Sequence, residues 1–231
     1  MNLAVIPARG GSKRIPRKNI KEFCGKPIVV WSIEAARESG CFDRVIVSTD
    51  DNEIAEVARL WGAEVPFMRP AELSDDYTGT TPVVRHAIEW CMEDGFLFNQ
   101  VCCIYATAPF ITADDIRYGL EILKTSGCDF AFSVTRFPYP IQRAVRITQE
   151  GRLEMFQPQY FHTRSQDLET AYHDAGQFYW GLSDAWIEER PLFSHKASPV
   201  ILPYHRVQDI DTPEDWVRAE LMYKHLHNLQ G

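Results

Sequence analysis

The stretch NLAVIPARGGSKRIPRKN (residues 2–19) runs from a short apolar segment straight into a loop. Five cations, Arg9, Lys13, Arg14, Arg17 and Lys18, lie there around the pair Gly10–Gly11. The apolar segment reads as a buried strand, NLAVI (2–6). Downstream, KPIVVWSIEAARESG (26–40) reads as a helix that Gly40 ends, and RVIVST (44–49) as a β-branched strand. A helix over 51–62 is expected to be capped by Asp50, with Glu53 in its first turn and Gly62 past its end. Thr81 and Pro82 mark a further helix start running to Glu93, VCCIYA (101–106) is a strand, Thr112 opens a helix over 113–127, and FAFSVT (130–135) is again a strand. Strands alternating with helices define an α/β fold with a mainly parallel sheet. In such sheets ligands sit beyond the carboxyl ends of strands, where the loop at 7–19 falls.

The alternation breaks after residue 136. RFPYPIQRAVRITQEGRLEMF (136–156) has the look of a hairpin turning at Glu150–Gly151. The polar and aromatic run that follows has no period, so 137–175 is expected to be an inserted lobe within one domain spanning 1–231. QFYWGL (177–182), PVILPY (199–204) and RVQDID (206–211) read as strands. Thr212 and Pro213 start a last helix with an apolar stripe of Trp216, Ala219, Met222, Tyr223 and Leu226.

Composition narrows the function. The 231 residues carry a formal net charge of −8, a poor balance for a general binder of nucleic acid. The basic cluster is therefore local and suits a small anion. The six cysteines form no C-x-x-C pair and read as free thiols of a reducing cytoplasm. The N-terminus lacks the basic start and long apolar run of a signal peptide, and no apolar run of membrane-spanning length exists, so no membrane partner is expected.

Two constellations carry chemistry. Paired glycines let backbone N–H groups approach an anion, while Arg9 grips phosphate with two bonds and Lys18 acts as a point charge. Together they match a triphosphate of roughly four negative charges. Neither G-x-G-x-x-G nor G-x-x-x-x-G-K-[ST] is present, which removes the dinucleotide fingerprint and the P-loop. In QDIDTPED (208–215), Asp209 and Asp211 alternate about Ile210; on a strand both carboxylates face one way and invite a cation between them. Open oxygen coordination beside phosphates suits Mg²⁺. The opposing reading is that Asp211 merely precedes a helix capped by Thr212. Hydrolysis, phosphoryl transfer and nucleotidyl transfer all fit these two features.

The segments IPARGGSKRIPRKNI (6–20), 25–73, TTPVVRHAIEW (80–90), TRSQDL (163–168) and QDID (208–211) resemble the CMP-sugar-acid synthetases, the family of CMP-sialic acid synthetase, over nearly the whole chain. The resemblance implies a single Rossmann-like, GT-A-like nucleotidyltransferase domain whose inserted lobe makes a homodimer. It also implies transfer of CMP from CTP to the anomeric hydroxyl of a nonulosonic acid, with Mg²⁺ and release of pyrophosphate. Carried over, Arg9 and Lys18 contact the triphosphate, Ala8, Gly10, Gly11 and Ser12 form a backbone cradle, and Asn19 and Arg69 read cytosine. Thr80 or Thr81 touches base or ribose, Asp209 and Asp211 bind Mg²⁺, and Arg9, Lys18 and Asp211 form the catalytic set. Arg164 and Gln166 lie near the sugar. IYATAPFI (104–111) departs from the family's Leu-Gln-Pro-Thr-Ser-Pro-Leu-Arg run, with Tyr105 in place of Gln. DAGQFYW (174–180) departs from its Asn-Gly-Ala run. The first change fits a different, less hydroxylated sugar acid, with Tyr105 either contacting the sugar or packing at the strand end; Gln177 either meets the sugar's acylamino groups or begins a strand, and His173 and Asp174 before it read as either site or turn. The 163–181 segment looks most like members acting on pseudaminic acid; sialic, legionaminic and deoxyoctulosonic acids, or a sugar 1-phosphate, are the alternatives.

Overall fold

The computed structural model describes residues 1–228. Ten strands and six α-helices follow in the order β1 (Asn2–Pro7), β2 (Glu22–Phe23), β3 (Lys26–Pro27), α1 (Ile28–Ser39), β4 (Arg44–Ser48), α2 (Asn52–Leu60), α3 (Thr80–Glu93), β5 (Gln100–Ile104), α4 (Ala113–Ser126), β6 (Phe130–Arg136), β7 (Val145–Ile147), β8 (Leu153–Met155), β9 (Tyr172–Leu182), α5 (Ser183–Ile187), β10 (Ala197–Ile201) and α6 (Pro213–Asn228). Six strands form one sheet in the order β10-β6-β9-β5-β1-β4. The β1–β4, β1–β5 and β6–β10 pairs are parallel, and β9 runs antiparallel between β5 and β6. The expected mainly parallel α/β sheet is what forms.

The antiparallel strand follows from the lobe. Arg136 at the end of β6 is paired with Tyr172 at the start of β9, so the chain leaves and re-enters the sheet at one point and must return in the opposite direction. The lobe thus spans 137–171, and its hairpin is β7–β8, with Gly151 at φ +73° in the turn. Sequence reading began this strand at Gln177, whereas β9 starts at Tyr172 and carries a bulge. Between the pairs Phe132–Tyr179 and Val134–Asp174, β6 advances two residues and β9 five. Gly176 takes the left-handed φ of +61° there, and the Ser133 hydroxyl replaces the lost ladder partners by accepting from the N–H groups of Gln177 and Phe178. Bulges of this kind re-aim side chains beside active sites.

Two further expectations are corrected. Asp51, not Asp50, caps α2, accepting from the Ile54 N–H at 3.0 Å. Residues 206–211 are not a strand: Tyr204–Arg206 form a 3₁₀ turn and 207–211 an irregular segment. The β-branched and aspartate alternation there has no neighbouring strand to pair with. What plants the segment is Ile210, 1 % exposed, in a cluster with Phe23, Phe110 and Trp216.

The sheet is covered on both faces. Ile33, Ile54, Leu120 and Trp180 belong to one apolar cluster, and Leu3, Val84, Ile88, Phe130 and Trp186 to the other. Helix α4 comes close to β9 because Gly119 has no side chain. A methyl there would stand 2.7 Å from Phe178 Cε2 and 2.8 Å from Trp180 Cδ1. Gly119→Ala is therefore expected to lower stability by about 1–3 kcal/mol despite its better helix propensity, read as a reduced urea midpoint.

Candidate active site

Beyond the carboxyl ends of β1 and β5 lies a cavity of about 570 Å³. Four of the five loop cations, Arg9, Lys13, Arg14 and Lys18, line it together with Ser12, Asn19, Arg69, Thr80, Tyr105 and Asp211. A second cavity of about 510 Å³ shares Tyr105 as a wall and is lined by His173, Asp174, Tyr179, Tyr204 and Asp209 among others. The loop at 7–19 and the segment 207–211, nearly 200 positions apart in sequence, meet where Lys18 Nζ donates to the Ile210 carbonyl at 2.8 Å and stands 3.5 Å from Asp211 Oδ1. Arg14 lies 2.9 Å from the same carboxylate oxygen. Arg17 points elsewhere and pairs with Asp51 and Glu53.

The glycine pair sits back from the cavity. Neither Ala8, Gly10 nor Gly11 lines the cavity; of the expected cradle only Ser12 does. The Gly10 N–H is taken by Asp50 Oδ1 at 2.9 Å, and the Ala8 N–H by the Ser48 carbonyl. Gly10 is bare because a Cβ would sit 2.7 Å from Asp51 Oδ2, so it serves the close packing of loop against α2. Asn19 lines the cavity, but its amide NH₂ holds the Arg9 carbonyl at 2.8 Å and so steadies the loop. Thr80, rather than Thr81, reaches the cavity, and its hydroxyl is 3.2 Å from the Tyr105 hydroxyl.

Arg69 is the most telling side chain. It is 6 % exposed, yet its Nε and Nη2 have no hydrogen-bond partner in the protein. Asp50 stands 3.9 Å away, and burial pulls the guanidinium pKa below its usual value. Buried polar groups are nearly always satisfied, and Arg69 lines the cavity, so its unpaired guanidinium marks a place for a ligand acceptor.

Asp76 had no sequence signal, because its partners are over sixty residues away. It sits 2.8 Å from Arg9 and also pairs with Lys13, while Arg9 donates to the Asp75 carbonyl at 2.6 Å. An anionic ligand competes with this carboxylate for Arg9 and Lys13. Asp76→Asn is expected to lower the KM for a nucleoside triphosphate by a few-fold, as loss of an exposed competing ion pair allows; steady-state kinetics checks it.

Asp209 and Asp211 open on the two different cavities rather than on one face, since no strand aligns them. Among the described residues no three His, Cys, Asp or Glu side chains converge on one point. Two carboxylates with open positions fit Mg²⁺, which keeps waters and substrate oxygens. The Asp209 carboxyl is pushed up, first by desolvation and then by the Asp211 charge.

Of the expected sugar residues, Tyr105 lines both cavities. Gln177 lines neither: it is 3 % exposed, its Nε2 donates to the Arg206 carbonyl at 2.6 Å, and its backbone carbonyl accepts from Tyr105 N–H. It braces the 204–206 turn against β9. Arg164 and Gln166 line neither cavity; they lie on the exposed lobe, with Arg164 Nε 2.6 Å from Asp167.

A loop of cations and two carboxylates beside a mostly parallel sheet fit the nucleotidyltransferase class of α/β proteins, as they fit hydrolases and phosphoryl transferases, and the comparison with known families decides among these. The cytidylyltransferase family model matches residues 3–222, and the chain belongs to that family. It is 48 % identical over 226 residues, 98 % of this chain and 97 % of the other, to the pseudaminic acid cytidylyltransferase of Campylobacter jejuni. It is 33 % identical to the CMP-N,N'-diacetyllegionaminic acid synthase of Legionella pneumophila, over 94 % of both chains. The fold is shared with a CMP:2-keto-3-deoxy-manno-octonic acid synthetase complexed with CTP, at TM-score 0.70 and 16 % identity over 97 % of this chain and 98 % of that one.

Proposed function

We propose that the chain transfers CMP from CTP to the anomeric hydroxyl of pseudaminic acid, releasing pyrophosphate. One observation carries the reading: a cation-lined cavity and a second, aromatic and acidic one meet at Tyr105, with Asp211 in the first and Asp209 in the second. The first takes CTP and the second the sugar acid. The choice of acid rests on the 48 % identity to the Campylobacter enzyme.

Arg9, Lys13, Arg14 and Lys18 set positive charge against the triphosphate, which would otherwise repel an incoming hydroxyl. Arg69 supplies donors to the cytosine. Asp209 and Asp211 hold Mg²⁺, which when bound neutralises further phosphate charge. The acceptor cavity orients the hydroxyl for attack opposite the departing pyrophosphate.

The enzyme acts as a homodimer in the cytoplasm. All six cysteines are free thiols, in keeping with a reducing compartment. The lobe exposes Ile147, Leu153 and Phe161 at 75 %, 73 % and 65 %, apolar surface that a second copy covers. Arg164 and Gln166, stranded on the lobe in one chain, then reach the acceptor cavity of the other copy and meet the sugar carboxylate. Replacing Ile147 and Leu153 together by Asp is expected to give a monomer by analytical ultracentrifugation, with acceptor turnover reduced at least about tenfold and CTP binding retained.

The function is tested by pyrophosphate release with CTP and Mg²⁺ on pseudaminic, legionaminic and N-acetylneuraminic acids in parallel. Strong preference for pseudaminic acid is expected. Preference for another acid keeps the chemistry and overturns the acceptor, while CTP binding with no turnover of any acid overturns the reaction.

A further inference from the structure

The acceptor cavity holds an acid where an anionic substrate would not be expected to find one. Asp174 stands on the β9 bulge and lines the cavity. Its Oδ1 accepts from the Gly176 N–H at 2.8 Å and its Oδ2 from the Tyr179 hydroxyl at 2.6 Å. The neighbouring His173 Nδ1 donates to the Asp174 carbonyl at 2.8 Å, and its ring packs on Phe137 at 4.7 Å. The carboxylate is therefore held from two sides by its own strand, and His173 steadies the backbone behind it. A carboxylate oxygen has room for two donors, and each here has one. What remains is a rigid, negatively charged acceptor beside the rings of Phe137 and Tyr204.

Such an arrangement repels the carboxylate of a sugar acid and attracts an N–H. An acylamino group carries an N–H and a methyl a few ångströms apart, matching an acceptor beside an aromatic wall. We propose that Asp174 is a specificity-determining residue that reads an acylamino substituent of the acceptor sugar, its carboxylate taking the amide N–H while the acyl methyl lies against Phe137 and Tyr204. The inference rests on the assignment of the second cavity to the sugar acid. It orients the substrate as well: the acylamino end goes to Asp174, and the carboxylate turns away from it.

Asp174→Asn isolates this role. An Asn oxygen still accepts from Gly176, and its NH₂ can donate to the Tyr179 oxygen, so the strand keeps its contacts. The amide of the sugar then loses its acceptor or meets a donor. The experiment measures pyrophosphate release by wild type and variant with pseudaminic acid, which carries two acylamino groups, and with a 3-deoxyoctulosonic acid, which carries none, at saturating CTP and Mg²⁺. The variant is expected to raise the KM for pseudaminic acid at least about tenfold, as for loss of a charge-assisted hydrogen bond. Its kcat/KM for the octulosonic acid should move less than about threefold, and the KM for CTP should stay put. An equal fall for both sugars would make Asp174 a prop for Tyr179 and overturn the proposal, as would unchanged kinetics. If Asp174→Asn fails to fold, Asp174→Ser keeps an oxygen near Gly176 and carries the same comparison. Wild type that turns over neither sugar would count against the proposed function itself, an outcome distinct from equal losses in the variant.

Discussion

Asp211→Asn should lower kcat for pyrophosphate release by at least about two orders of magnitude, or about 2.7 kcal/mol of barrier. The substitution keeps the shape of the side chain and removes its charge. In the resting protein that charge is shared by Arg14 at 2.9 Å and Lys18 at 3.5 Å. Two roles for Asp211 thus make opposite predictions. If it only tethers the two cations, its loss frees them for the triphosphate, CTP binds as well or better, and turnover falls little. If it holds Mg²⁺ with Asp209, the variant binds CTP yet loses turnover, and its dependence on Mg²⁺ shifts to higher concentration. Titrating Mg²⁺ against rate, alongside the thermal shift produced by CTP with and without Mg²⁺, separates the two. Near-normal turnover would remove Asp211 from the metal site.

The fold was legible because its signals are local. Gly40 and Gly127 end their helices at φ +64° and +67°, Thr112 makes a capping box with Asp115, and the buried strands are continuous apolar runs. The errors fall where a local signal is outvoted by distant contacts. Asp174-Ala175-Gly176 has the composition of a turn, but Ser133 on β6 repairs the ladder and makes it a bulge. Gly10-Gly11 has the composition of an anion nest, but Asp50 claims the Gly10 N–H. Asp209-Ile210-Asp211 alternates like a strand, but its anchor is the cluster around Trp216. The cations of the site could be read because they are contiguous in the chain. Asp76 could not, since only the folded chain brings it to Arg9. Gln177 was singled out where the chain departs from the family pattern, and its amide is turned inward onto the Arg206 carbonyl.

Replacement of Arg69 is expected to separate stability from function. In the protein without nucleotide, a guanidinium that is 6 % exposed leaves Nε and Nη2 without partners, and its nearest counter-charge is 3.9 Å away. Each unsatisfied buried donor costs about 1–3 kcal/mol. Arg69→Met fills most of the same volume without those donors, so the melting temperature of the nucleotide-free variant should be equal to or above that of wild type. Binding should change the other way. Cytosine offers acceptors at O2 and N3, which two guanidinium N–H groups can meet together; uracil presents an N–H at position 3 and meets a donor with a donor. A site built to hydrogen-bond one base rejects an analogue strongly, because mismatched buried groups stay unpaired. Arg69→Met should therefore weaken CTP binding at least about tenfold and narrow the preference for CTP over UTP by a larger factor. The measurements are melting without nucleotide and binding of CTP and UTP by calorimetry. A variant that melts lower but discriminates as well as wild type would make Arg69 a structural residue, and the cytosine would have to be read elsewhere in the cavity.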